Sequence, residues 1–365
     1  MRHIVGTKIR SLREELELTQ EELAQAVGLS SEFISLLELG KRDPSLESLS
    51  SLARFFKKDL SYFLVERPDD LNVLLEKKDL SPAARRILRQ FKNHCEDYLR
   101  LEELSERPLR QAPIYSSLSA QKMAAEERRR IDLGLEPILD MCVLAERNGL
   151  RIVRADLPES EGIAGIYVYY ESRQAAFVLL NSIFSFPKLN FAAAHAYCHY
   201  LKDRYDGPII DTPDMLVEDY VSLYPGREQF AHRFAVNFLI PPGRVRDIIS
   251  REIRLEALRN PDVYYLRRYF GVDLAEMARF LEHLGFISGR MRNMLLKEDH
   301  MDAEEAFFGR GKPIKAQKSK KIVPSDRFKS LALSAFQRGR IDIQSLAGYL
   351  GQNPDKILPF VGQRS

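Results

Sequence analysis

Two histidines, His195 and His199, stand four residues apart in the helix-forming run Phe191–Leu201. At that spacing both imidazoles lie on one helix face, one turn apart, and can reach a single zinc ion. A third donor, Glu228, follows after enough chain for a turn back and a second helix facing the first. The hydrolytic form of this arrangement is H-E-x-x-H, whose glutamate is the general base beside the metal. Residue 196 is alanine. The pattern predicts a metal site that lacks its base.

Two neighbouring residues compete for the ligand role and are read differently. Cys198 shares the face of His195, but a lone cysteine in an apolar helix is a small buried hydrophobe. His232 lies one turn beyond Glu228, where packing or a hydrogen bond to a ligand suits it better than the metal.

Both segments resemble the ImmA/IrrE family of zinc metallopeptidases, whose helix reads A-H-E-x-x-H and is followed by E-x-x-A-N-x-F-A ending at a proline. Ala194, His195 and His199 match the first half; Glu228, Ala231, Phe234, Ala235 and Pro241 match the second. The departures are Ala196 for the glutamate and His232 for the asparagine. The resemblance implies Zn2+ on His195, His199 and Glu228, with Ala196 at the position of the missing base. Ala196 is either a natural loss of activity or a deliberate inactivating replacement. The retention of everything around it favours the replacement.

The elements that must position these residues sit in a chain of 365 residues, long enough for two or three domains. An apolar fraction of 45%, a charged fraction of 29% and a net charge of +3 describe an ordinary globular protein and neither require nor exclude nucleic acid. Three widely spaced cysteines offer no disulfide framework. With no signal-peptide pattern and no apolar run long enough for a bilayer, a cytoplasmic protein without a membrane partner is expected.

Residues 4–65 read as five short helices. Thr19 and Glu22 form a capping box opening a helix through Val27, and Gly28 stops it. Ser30 caps Ser31–Leu39, Ser45 precedes Leu46–Phe56, and Leu60–Leu64 closes the unit. A helix, a glycine turn and a second helix of this length form the helix-turn-helix pattern. The stretches Leu18–Ala24, Leu29-Ser30, Ile34-Ser35, Gly40–Arg42 and Pro44–Leu46 resemble the Cro/C1-type (XRE) DNA-binding domains. That resemblance implies that Ser31–Leu39 enters the major groove. Ser31, Glu32 and Ser35 are its base-edge candidates, Gln20 and Gln25 can meet phosphate or base edges, and Lys41 and Arg42 can meet phosphate. Phe33, Ile34 and Leu37 are expected in the core, and Glu38 is expected to pair with Arg10 or Arg13. The negative charge of Ser31–Leu39 opposes phosphate, so either a homodimer or a protein-binding role for this surface is implied.

Between these two chemistries, residues 67–115 read as a helical linker with a start signal at Ser81-Pro82. Two helices follow, over Ala120–Leu133 and Pro137–Asn148. Strands are expected over Leu150–Arg154, Ala164–Tyr170 and Ala175–Leu180, the last two joined as a hairpin. Ala175–Leu180 is the strand expected to align a substrate chain at an exposed edge, and Asp203–Tyr224 reads as a loop-rich lid. A basic linker spans 301–323, and amphipathic helices return in 324–365.

The expected architecture is mainly α. A helix-turn-helix domain over 1–66 and the linker precede an α+β, zincin-like metallopeptidase core with a small sheet over 116–300; the C-terminal helical unit comes last. The function expected of it is a regulatory zinc metalloendopeptidase fused to a DNA-binding domain, acting on a protein substrate such as a helix-turn-helix repressor. The alternative is a non-enzymatic transcription regulator or antitoxin whose metallopeptidase-like domain senses a ligand or partner.

Overall fold

The computed structural model describes residues 2–16, 18–56, 60, 63, 80–216, 226–253, 258–297, 300–309 and 322–361. Of the basic linker expected over 301–323, residues 301–308 belong instead to a helix and residues 310–321 lie outside the described residues. So does the fifth N-terminal helix, apart from Leu60 and the buried Phe63.

Local capping chemistry sets the N-terminal helices α1 (Arg2–Glu15), α2 (Gln20–Val27), α3 (Ser31–Glu38) and α4 (Leu46–Phe55). The Thr19 hydroxyl accepts from the Glu22 N–H and the Glu22 carboxylate accepts from the Thr19 N–H, so two orphan donors are satisfied reciprocally. Gly28 ends α2 in the left-handed region at φ 72°. Val5, Ile9, Leu12, Leu23, Ile34, Leu37, Leu49 and Leu52 form the core of the unit. Gly6 lets α1 press against α3, because a Cβ there would stand 2.0 Å from the Leu37 carbonyl oxygen.

The helix α5 (Pro82–Ser105) is no free spacer. It lies across one face of a four-stranded sheet made of β1 (Leu150–Ala155), β2 (Gly165–Tyr170), β3 (Ala175–Asn181) and β4 (Ile209–Asp211). The strand order is β1-β3-β2-β4, with β1 parallel to β3 and the other pairs antiparallel. The two-residue period of the strands splits their side chains between two cores. Val153, Ile166, Val168, Phe177 and Leu179 face α5, while Ile152, Tyr167, Val178 and Leu180 face the other way.

This order corrects the expectation for Ala175–Leu180. That strand is central and hydrogen-bonded on both sides, so it has no edge to offer a substrate. Its seven residues are all buried, as a strand covered on both faces must be. The edge is β4, inside the segment expected to be only a lid. The other edge, β1, is met by Val323, whose N–H donates to the Arg154 carbonyl.

The second face is covered by α6 (Ala120–Arg130), α7 (Met141–Arg147), α8 (Phe186–Lys202) and α9 (Arg227–Leu239). Helix α7 starts later than Pro137, because the Asp140 carboxylate caps it by accepting from the Val143 N–H. After it, Gly149 turns the chain at φ 103°, where a Cβ would meet the Tyr200 hydroxyl at 2.3 Å. Further helices α10 (Pro242–Ile248), α11 (Asn260–Phe270) and α12 (Leu274–His283) extend this core.

The chain then returns to α5. Helices α13 (Gly289–Lys297) and α14 (His300–Phe308) precede α15 (Asp326–Gln337), α16 (Ile343–Leu350) and α17 (Pro354–Val361). Phe328, Leu331, Ala332 and Ala335 of α15 complete the core between α5 and the sheet. Buried charges fasten the three layers: Glu102 of α5 takes Arg151 of β1 at 2.6 Å and Arg327 of α15 at 3.2 Å. The Glu146 carboxylate accepts from the hydroxyls of Tyr98 and Ser325, both at 2.7 Å. Among the described residues no helix is long and apolar enough to cross a membrane.

His94 stands at the same junction, its ring 4.2 Å from that of Phe328. Burial lowers its imidazole from 6.5 to about 4. The unfolded chain therefore takes up a proton at a pH where the folded chain does not, and stability falls as pH drops through that window. The loss amounts to at most about 3 kcal/mol. Denaturant titrations from pH 7 to pH 4 are expected to show this loss in the wild type and a flatter profile in His94→Phe.

Candidate metal centre

Helix α8 opens with Ser185 and Pro187 and continues through an alanine-rich run that fits closely under the sheet. Its helical period sets His195 and His199 on one face, their ring centroids 4.9 Å apart. Helix α9 packs against α8 and brings Glu228, in its first turn, to both. Glu228 Oε2 lies 3.1 Å from His195 Nε2 and 3.4 Å from His199 Nε2, while its Oε1 accepts from Arg227 at 2.8 Å. The three residues singled out from the sequence are thus brought together.

A fourth residue joins them. Asp211, the last residue of β4, places Oδ1 3.6 Å from His195 Nε2 and 3.8 Å from His199 Nε2. The four donor atoms all lie within 4.8 Å of one another. A tetrahedral zinc site with bonds of about 2.0–2.1 Å separates its donors by about 3.3 Å, so this grouping fits such an ion.

The polar atoms here are in keeping with that fit. Both histidines are fully buried and Asp211 is 1% exposed. Among the described residues, His199 Nε2 and both carboxylate oxygens of Asp211 have no hydrogen-bond partner. Buried polar groups in native proteins are nearly always satisfied, and a cation among these donors would satisfy them. Burial pushes the Glu228 carboxyl up, but the adjacent His195 and His199 imidazoles and the Arg227 guanidinium outweigh it and hold the group well below the usual carboxylate range. Burial likewise raises the Asp211 carboxyl, against the pull of His195 and His199.

Behind the donors, Asp203 Oδ2 lies 2.8 Å from His199 Nδ1. This contact fixes the tautomer with the proton on Nδ1, turning the Nε2 lone pair toward the centre.

The remaining candidates lie elsewhere. Ala196 is fully buried in the core under the sheet. Cys198 is buried, which raises its thiol well above the ordinary value. His232 is buried against Phe191, with Nε2 3.5 Å from Glu276, and is not among the clustered donors. The Tyr197 hydroxyl donates to Glu127, and Tyr200 accepts from the Ala112 N–H at 2.8 Å. Both phenols are engaged at the α6 side of α8. His283 lines a separate cleft of about 790 Å³ with Arg233 and Arg279.

In the N-terminal unit Gln25, Ser31, Glu32, Lys41 and Arg42 are exposed and Ser35 is half-buried. The Arg42 guanidinium lies over the Phe33 ring at 4.7 Å. Gln20 is half-buried and donates to Glu38 at 2.8 Å. Glu38 pairs with Arg13 at 2.6 Å, so its charge is met inside the unit and Glu32 is the exposed acid of α3. Phe33 is only partly buried, whereas Ile34 and Leu37 are in the core.

Comparison with known proteins divides the chain in the same way. A family model described as Helix-turn-helix matches residues 9–63, and one described as IrrE N-terminal-like domain matches residues 145–282. An uncharacterised helix-turn-helix transcriptional regulator of Sinorhizobium fredii is 43% identical over 15% of this chain and 70% of its own length. One from Archaeoglobus fulgidus is 37% identical over 18% of this chain and 92% of its own. The cryptic phage CTXphi transcriptional repressor RstR of Vibrio cholerae is 31% identical over 20% of this chain and 66% of its own.

The geometry behind His199 yields a specific expectation. Asp203→Ala removes the carboxylate that orients the imidazole and is expected to weaken zinc affinity by about 10–100-fold while saturating zinc still fills the site. Competition against a chromophoric chelator measures it.

Proposed function

The chain belongs to the helix-turn-helix transcriptional regulators and joins to that domain an IrrE N-terminal-like domain; from this premise we propose that it binds DNA through the first domain and one zinc ion through the second. The carrying observation is the convergence of His195, His199, Glu228 and Asp211, among which His199 Nε2 and both Asp211 carboxylate oxygens lack hydrogen-bond partners among the described residues. A DNA partner implies a cytoplasmic site of action, and the weak binding of single helix-turn-helix units favours a homodimer.

In a hydrolytic form of this site, a bound zinc would supply Lewis acidity toward a peptide carbonyl. The rest of the chemistry falls to side chains. His195, His199 and Glu228 hold the ion, and Asp203 keeps His199 oriented. Proton transfer to the leaving amine needs a group at position 196, and Ala196 has none. Tyr197 and Tyr200 are held by Glu127 and Ala112, so neither is placed to donate to an oxyanion. The chain as it stands is a regulator with a metal-holding, non-hydrolytic domain.

The intact matches around Ala196 support a second reading for a parent protein with glutamate at this position: a metalloendopeptidase that cleaves a repressor or another regulatory protein. Ala196→Glu, loaded with zinc and assayed for self-cleavage and for cleavage of casein, separates the two readings. No cleavage by either form favours the regulator, and cleavage by the variant alone favours the peptidase.

Metal analysis of the purified chain is expected to give near one zinc per chain, lost in His195→Ala. No zinc under replete conditions would refute the metal reading. For DNA, Lys41→Ala is expected to lower affinity on every sequence tested and to reduce the slope of log affinity against log salt by about 1. An unchanged slope would assign Lys41 no phosphate contact.

A further inference from the structure

We infer that Asp211 is a fourth protein ligand, so that the centre is a closed four-coordinate site for a divalent cation. The inference rests on the metal reading above and asks how that site is completed. Asp211 is 1% exposed, and both of its carboxylate oxygens lack a hydrogen-bond partner among the described residues. Its Oδ1 stands 3.6 and 3.8 Å from the two histidine Nε2 atoms, close to the donor spacing of a tetrahedral site.

The backbone fixes that position. Asp211 is paired with Gly165 in the β2–β4 ladder, and its carbonyl accepts from the Ala164 N–H at 2.7 Å. A carboxylate held this way cannot be an incidental solvated acid.

Closure changes what the site does. Hydrolytic zinc sites use three protein donors and leave one position for water, whereas structural sites fill all four. Two imidazoles and two carboxylates fill them here. A bound ion ties together α8, β4 and α9, a helix, a sheet edge and a second helix. It acts as a clasp on the edge of the sheet, and its presence or absence becomes a signal that the domain can report.

Cobalt(II) in place of zinc reads the coordination directly, because its visible absorption depends on ligand number. The full chain is titrated with cobalt(II) chloride, and azide is then added as a probe for an open position. The wild type is expected to give the intense absorption of a four-coordinate site, unchanged by azide. Asp211→Ala is expected to bind cobalt at least about tenfold more weakly, with a weaker spectrum that azide alters. Asp211→Asn, close to isosteric, tests the same loss where Asp211→Ala fails to fold, with circular dichroism as the control. An azide-sensitive wild-type spectrum with unchanged affinity in both variants overturns the inference and leaves the metal reading standing. A wild-type chain that takes up neither cobalt nor zinc overturns both.

Discussion

Two buried imidazoles and the buried Asp211 carboxylate beside the half-buried Glu228 are costly unless something positive stands among them. The scaffold around α8 is arranged to bear that cost. Helix α8 is sheathed by sheet on one side and by α9 on the other, which removes water from His195 and His199. Arg227 and Asp203 then fix one atom each on Glu228 and His199, leaving the remaining atoms aimed at a common centre. A cation among these donors would make the arrangement stable; without one, they can only share protons among themselves.

The site's rigidity depends on the opposite face of the sheet. Strands β1, β2 and β3 carry apolar side chains on both faces, so the sheet needs two covers. One cover contains the donors, and the other is α5 with the C-terminal helices. Glu102, shared by Arg151 and Arg327, joins that second cover to β1 with buried charge, and such pairs cost several kcal/mol when one partner is lost.

Much of this was legible in the sequence where the determinants are local. The helix-turn-helix caps at Thr19, Ser30 and Ser45 are written within four residues of the bonds they make. His195 and His199 were legible because helical period puts them on one face, and Glu228 because its spacing allows a second helix and its segment resembles the family's pattern. Asp211 was not. It belongs to a three-residue strand in a stretch punctuated by Gly207-Pro208 and Thr212-Pro213, and only pairing with β2 gives it a direction. The same non-locality hid the strand order: Ala175–Leu180 reads equally well as edge or centre until its neighbours are known. The C-terminal stripe from Phe328 to Phe336 announced an amphipathic helix but not its partner, since the matching surface on α5 lies more than two hundred residues earlier.

The long return of the chain to α5 has a consequence for the order in which the molecule comes into being. The N-terminal unit closes its core within its first sixty-three residues and can fold while the rest is still being translated. The sheet cannot finish until Phe328 to Leu346 have left the ribosome, because those residues supply half of one cover. A chain synthesised only as far as α12 would therefore present a complete helix-turn-helix beside a sheet with one apolar face uncovered. The order of folding is thus set by the distance between the two cores: the helix-turn-helix can close early, whereas the sheet closes only after Phe328 to Leu346 have been made.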